Sequence, residues 1–199
     1  LNKSRVEAFT DAVIAIILTI MILEFKTPDS AKLSAIFPQI PYMISYAVGW
    51  LFIGIAWYNH HYMFTKTKVV TRKIFWINNT WMFTTSFIPV ATAWIGRNLN
   101  AQGPEIFYAI VYFLWSLAYA YLTHAIAKAN EEAGHTEIAT SIRDMKIYRF
   151  LTNWKFVGAE IIVWVLILIF MPRLQMLLIA FQVIFVGGNV NQDSDKLFS

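Results

Sequence analysis

No cysteine occurs in the 199 residues. That removes a disulfide framework, a thiolate metal site and a thiol nucleophile, and it leaves the compartment without a redox signature. Charge is scarce as well: 14% of side chains are charged, against 58% hydrophobic and 17% aromatic. A soluble domain carries about a quarter of its residues charged, so this balance excludes an ordinary soluble globular protein and specifies an integral membrane one. No polar block is long enough to fold as a separate soluble domain, and no internal repeat is found. Phosphate loops, nucleotide fingerprints and nucleophile motifs are missing too, so the chain reads as no enzyme and needs no cofactor. The histidines do not form a metal site. His60 and His61 are adjacent rather than one helical turn apart, and His124 and His135 lack a third ligand.

What is present is a succession of apolar runs. Crossing about 30 Å of hydrocarbon takes roughly 17 to 25 apolar residues in a helix. Six candidate spans meet or approach that length: 9–25, 42–64, 74–95, 104–127, 156–170 and 174–186. Pro38 and Pro41 punctuate the chain before the second, and Met171-Pro172-Arg173 makes a tight helical hairpin of the last two, which a single bent element could also explain. The fold class expected is therefore all-α, an integral membrane protein of six transmembrane helices. The polar stretch 130–144 reads as a helical connector. Residues 1–188 read as one six-span unit and 189–199 as a polar tail, disordered or partly an expression remnant. The eight tryptophans fit interface belts and packing. Glu160, near the start of the fifth span, fits pairing with a neighbour or contact with water, and more weakly a proton relay.

The formal net charge is +4, but the basic residues lie mainly in loops rather than on one clustered face, so no nucleic-acid partner is expected. With six spans, Lys3, Arg5, Lys66, Lys68, Arg72, Lys73, Lys128, Arg143, Lys146, Arg149 and Lys155 share one side. Lys26, Lys32, Arg97 and Arg173 take the other. The positive-inside rule then places both termini in the cytoplasm of a cell-membrane protein. The first segment reads as a retained span rather than a cleaved leader, because Glu7 and Asp11 interrupt its basic start and Phe25-Lys26-Thr27 offers no small-residue cleavage pattern.

That first segment reads RVEAFTDAVIAIILTIMILEF, from Arg5 to Phe25, with an acid at the head of an apolar helix. At about 100° per residue, Arg5, Phe9, Ala12, Ile16, Thr19, Ile20 and Leu23 fall along one stripe, while Thr10 and Asp11 fall off it. A charge in hydrocarbon needs a partner or water, so Asp11 faces protein or a wet surface. From the residues alone, Asp11 as an interfacial helix cap is as consistent as Asp11 as a site, and an aliphatic stripe fits packing or lipid as readily as a pore.

The segment Arg5-Val-Glu-Ala-Phe9-Thr10-Asp11 followed by AVIAIILTIMIL resembles the R-x-x-x-F-[ST]-D signature that opens the first helix of the transmembrane-protein-175 family of potassium channels. Thr10 stands where the family usually has Ser, which keeps the hydroxyl. Trp57-Tyr58-Asn59-His60 with Phe64 resembles the W-x-x-H-x-x-x-F pattern of the family's second helix, and Asn79 with Pro89 resembles its third. The resemblance implies a cation channel without a TVGYG filter, a sequence that indeed does not occur here. It further implies a homotetramer in which first helices surround a central pore with potassium as the permeant ion. The chain's partners would be its own copies, the bilayer and monovalent cations. Carried over, the constriction falls on Ile16, with Ile20 and Leu23 as further rings and Thr19 as a hydroxyl ring. Arg5, Phe9, Thr10 and Asp11 would anchor the helix, with His60 and Asn79 as partners. A secondary transporter and a proton-conducting channel are the alternatives. The first would want broken helices, and the first segment has neither Gly nor Pro.

Overall fold

The computed structural model describes residues 2–188, and the regular elements among them are all helical. α1 (Lys3–Ile20) runs into a 3-10 turn, Met21–Glu24, and a second 3-10 segment, Leu33–Gln39, leads into α2 (Ile40–Lys66). Then follow α3 (Arg72–Thr85), α4 (Ile88–Arg97), α5 (Gln102–Glu132), α6 (Thr136–Arg143), α7 (Lys146–Thr152), α8 (Trp154–Phe170) and α9 (Leu174–Gly188). The expected polar tail, 189–199, lies outside the described residues.

Among the described residues, three uninterrupted runs are long and apolar enough to cross a membrane: Lys3–Glu24, Leu33–Lys66 and Gln102–Glu132. They coincide with the first, second and fourth expected spans. The third, 74–95, is broken into α3 and α4. Pro89 has no N–H to offer the Thr85 carbonyl, so the i to i−4 ladder fails at that point. The gap is bridged by turn bonds, Ser86 N–H to Met82 O at 3.0 Å and Phe87 N–H to Thr84 O at 3.3 Å. α8 and α9 are separate helices of 17 and 15 residues joined at Met171 to Arg173. At 1.5 Å per residue the longer reaches about 25 Å, and α8 is bent by 73° from α7.

α2 packs against α1, α4 and α9, and α5 packs against α3, α4 and α6. The α2–α4 contact is close enough to require glycine. A Cβ on Gly49 would lie 2.7 Å from Met21 Cε and 2.8 Å from Thr92 Oγ1, and one on Gly96 would lie 3.0 Å from the Tyr42 backbone. Small residues at such crossings let backbones approach where no hydrophobic drive exists between helices in lipid. Further along α2, the His60 ring lies against Phe64 and Trp81 at 4.3 and 4.8 Å between centroids, and on α5 Trp115 stacks on Tyr119 at 5.3 Å.

One end of the bundle gathers the basic residues. Lys3 Nζ donates to Thr65 O at 3.0 Å and Lys66 Nζ to Ser141 Oγ at 2.9 Å. Asn130 accepts from the Lys68 N–H at 3.0 Å and donates to Thr67 Oγ1 at 2.5 Å. The start of α1, the end of α2, the start of α3 and the end of α5 therefore meet at one end. At the other, Arg97 pairs with Glu24 at 3.4 Å.

Candidate functional site

α1 has two unlike faces. Val6, Thr10, Ile14, Ile17 and Met21 recur at spacings of three or four residues and are buried against the rest of the chain. The opposite side is bare: Arg5, Phe9, Ala12, Ile16, Thr19, Ile20 and Leu23 are all exposed. Neighbours in sequence make the contrast sharpest, with Ile16 60% exposed and Ile17 3%. This bare face is the stripe that the helical wheel draws from the sequence. Leu23, 77% exposed, sits on the 3-10 turn, so its direction is set by the tighter turn and not by the α-helical wheel. The Tyr42 hydroxyl, donating to Met21 O at 2.9 Å, caps the carbonyl where the helix changes pitch.

The rotation of α1 is fixed by polar bonds on its buried side. Thr10 Oγ1 donates to Val6 O at 2.8 Å and accepts from Asn78 Nδ2 at 2.7 Å. The Asn78 carbonyl oxygen lies 2.8 Å from His60 Nε2. Since Asn78 spends its amide N–H on Thr10, its oxygen must accept, and Nε2 is then the protonated nitrogen of His60. Thr10, Asn78 and His60 are all buried, so α1, α3 and α2 are tied through three side chains away from solvent. One residue on, about 100° round the helix, Asp11 Oδ1 accepts from the Trp57 indole N–H at 2.8 Å.

Several residues stand differently from expectation. Asn79 turns its amide to its own helix, donating to Phe75 O at 2.8 Å, and Asn78 takes the place expected of it. Successive helical residues point about 100° apart, and only Asn78 points at α1. The partner of Asp11 is Trp57 rather than Arg5 or His60. Arg5 and Phe9 lie on the exposed side, and Arg5 forms no ion pair among the described residues. The Thr19 hydroxyl donates to Ile16 O at 2.9 Å, which leaves its oxygen lone pairs toward the bare face.

Two carboxyl groups lie elsewhere in the interior. Glu160 accepts from Tyr112 and Gln182. Glu105, which the sequence pattern does not single out, is fully buried at the start of α5, and neither carboxyl oxygen has a hydrogen-bond partner among the described residues. Its single signal in the sequence is an acid placed at the head of an apolar run.

Comparison with known proteins adds an independent finding. Residues 5–89 match the family described as endosomal/lysosomal potassium channel TMEM175, a range that contains Arg5, Thr10, Asp11, Trp57, His60, Asn78 and Pro89. A protein named potassium channel from Chryseobacterium sp. (strain P1-3) is 38% identical over 132 residues, 66% of this chain and 69% of that protein. Another so named, from Streptomyces collinus, is 33% identical over 140 residues, 68% of each. The crystal structure of a lysosomal potassium-selective channel TMEM175 homolog from Chamaesiphon minutus superposes with a TM-score of 0.64 at 21% identity, covering 91% of this chain and 97% of that one. At that identity the match speaks for the fold, while the sequence relatives carry the lineage. With the signature head, the buried tie from α1 to α2 and α3, and both kinds of likeness in agreement, this chain belongs to the TMEM175 family.

Proposed function

We propose that the chain is a subunit of a potassium-permeable channel of the cell membrane, and not an enzyme. Residues 1–188 act as one six-span unit with both termini cytoplasmic, and four copies surround a pore lined by α1. One observation carries the reading. A helix locked on one side by Thr10, Asn78 and His60 presents a continuous bare stripe on the other, with Ile16 at its middle and Arg5 and Thr19 included in it. A stripe that contains a guanidinium and a hydroxyl suits a shared, partly wet axis better than hydrocarbon. A single copy cannot close a pore, and closed rotational symmetry is the default for identical subunits. The named activity of the two bacterial relatives supports the permeant ion. The gathering of Lys3, Lys66 and Lys68 at one end of the bundle supports the orientation.

In this reading Ile16 makes the narrowest ring, and Ile20 and Leu23 make the next ones. Apolar side chains offer an ion nothing in exchange for lost water, so the ring acts as a barrier set by its radius and wetting. Potassium sheds water at lower cost than the smaller, more tightly hydrated sodium, and it passes preferentially. Thr19, its proton already committed to Ile16 O, can offer only lone pairs, which suits a cation.

The test is flux in liposomes under a potassium gradient, a sodium gradient and a pH gradient, for wild type, Ile16→Asn and Ile17→Asn. Wild type should carry potassium well above sodium. Ile16→Asn should raise current and erode that preference, while Ile17→Asn should act through folding yield. Equal effects at both positions would remove α1 from the pore, and dissipation of the pH gradient alone would favour a proton-conducting channel.

A further inference from the structure

Away from α1, helices α2, α5, α7, α8 and α9 line a half-open cavity of about 300 Å³, at the lower end of the size range of small-molecule sites. Its walls are aromatic, with Phe52, Tyr112, Trp115, Phe150, Phe156 and Phe181 contributing ring surface. Among the described residues that line it, Glu160 is the single charged side chain, and no basic side chain joins it. Glu160 is 8% exposed. One of its oxygens, Oε1, accepts from the Tyr112 hydroxyl at 3.1 Å and from Gln182 Nε2 at 2.8 Å. The amide oxygen of Gln182 is itself buried without a partner among the described residues.

The polar wall of this cavity is therefore short of donors and of positive charge. Tyr112 and Gln182 have turned theirs onto Glu160 Oε1, which leaves the second carboxyl oxygen to meet a ligand. A ligand that satisfies the wall must bring N–H donors and a positive charge, and the surrounding ring faces favour the same sign. The remaining surface asks for an apolar body. Phe181, 66% exposed, and Phe156 form a rim open to the outside of the bundle, so such a ligand can enter sideways from the bilayer.

We propose that this cavity binds an ammonium-bearing amphiphile, its charged head against Glu160 and Gln182 and its apolar body among the rings of α5, α8 and α9. The inference does not depend on the pore reading of α1. Two sources carry that chemistry, a phospholipid with an ethanolamine head and a soluble hydrophobic amine.

The test uses the full chain in phosphatidylglycerol nanodiscs, with 4-phenylbutylamine as the probe and 4-phenylbutanol as its neutral counterpart. Thermal melting and tryptophan fluorescence are followed during titration. The amine should stabilise the wild type saturably, at a concentration at least tenfold lower than the alcohol. Glu160→Gln keeps an acceptor for Tyr112 and Gln182, so it should fold and bind amine and alcohol alike. Phe181→Ala, at the exposed rim, should weaken both ligands severalfold with Glu160 intact. Phosphatidylethanolamine added to the discs should shift the amine titration to higher concentration if the lipid is the resident ligand and leave it in place if a soluble amine is; either result retains the ammonium site. Equal binding of amine and alcohol by the wild type, or an amine preference that survives Glu160→Gln, overturns it.

Discussion

Asn78→Ala and Asn79→Ala, two neighbouring alanine substitutions on α3, should have very different effects. Asn78 makes two buried side-chain bonds, to Thr10 Oγ1 at 2.7 Å and to His60 Nε2 at 2.8 Å. Truncation leaves the His60 N–H buried without an acceptor, at a cost of about 1–3 kcal/mol. Thr10 loses an incoming bond but keeps its own proton on Val6 O, so its share is smaller, about 1 kcal/mol. The small void adds to these, and a total of about 2–4 kcal/mol follows. Asn79 bonds only the Phe75 carbonyl of its own helix, which the backbone ladder already serves, so its truncation should shift stability by less than about 1 kcal/mol. The assay is the thermal melting midpoint and monodispersity of each variant in detergent, with Thr10→Val added to complete a double-mutant cycle. Thr10→Val and Asn78→Ala should couple by about 1 kcal/mol, because each removes the same bond. Asn79→Ala as damaging as Asn78→Ala, or strict additivity with Thr10→Val, would refute the assignment of Asn78 as the tie that sets the rotation of α1.

Three further outcomes follow from the same geometry. Thr19→Val should leave the fold unchanged, since its bond is to its own helix, and should lower the potassium-to-sodium permeability ratio measured by bi-ionic reversal potentials; an unchanged ratio would take the hydroxyl off the ion path. Asp11→Asn keeps an acceptor for the Trp57 indole and should melt within about 1 kcal/mol of wild type, whereas Asp11→Ala leaves that N–H without its acceptor and should lose about 1–3 kcal/mol, so equal melting of the two would mean the bond contributes nothing. Glu105→Leu removes a fully buried carboxyl with no partner among the described residues and should raise the melting midpoint by the equivalent of about 1–3 kcal/mol; a fall would show that the carboxyl is satisfied by something bound there.

The contrast between the two faces of α1 is legible in the sequence because burial follows helical period. Ile16 and Ile17 are the same residue type, and the wheel alone separates them. What the wheel cannot supply is the identity of the neighbour across the interface. Asn78 and Asn79 are chemically identical, and the choice between them is made by the direction from which α3 approaches α1, a property of packing and not of either residue. The partner of Asp11 illustrates a second limit. Charge pairing suggests Arg5 or His60, yet Arg5 lies on the exposed side of α1 and His60 Nε2 is committed to Asn78, so the half-buried Asp11 is met instead by the indole N–H of Trp57. Trp57 stands inside the W-x-x-H pattern, and in sequence a tryptophan speaks for packing because it contributes far more ring than donor. The broken third span has a different cause. Pro89 was visible, but averaging hydropathy over 74–95 runs straight across a bend that changes direction without changing polarity. The same holds for Gly49 and Gly96, which look unremarkable in an apolar sequence. Their importance appears only once a Cβ at either position is set against Met21, Thr92 and Tyr42. In a chain this apolar, pattern tells which side of a helix is covered, and the scattered polar and small residues tell what covers it. Those few residues, Thr10, Asp11, Trp57, His60 and Asn78, hold α1 in register, and the bare stripe that the channel reading needs exists because they leave it no other way to turn.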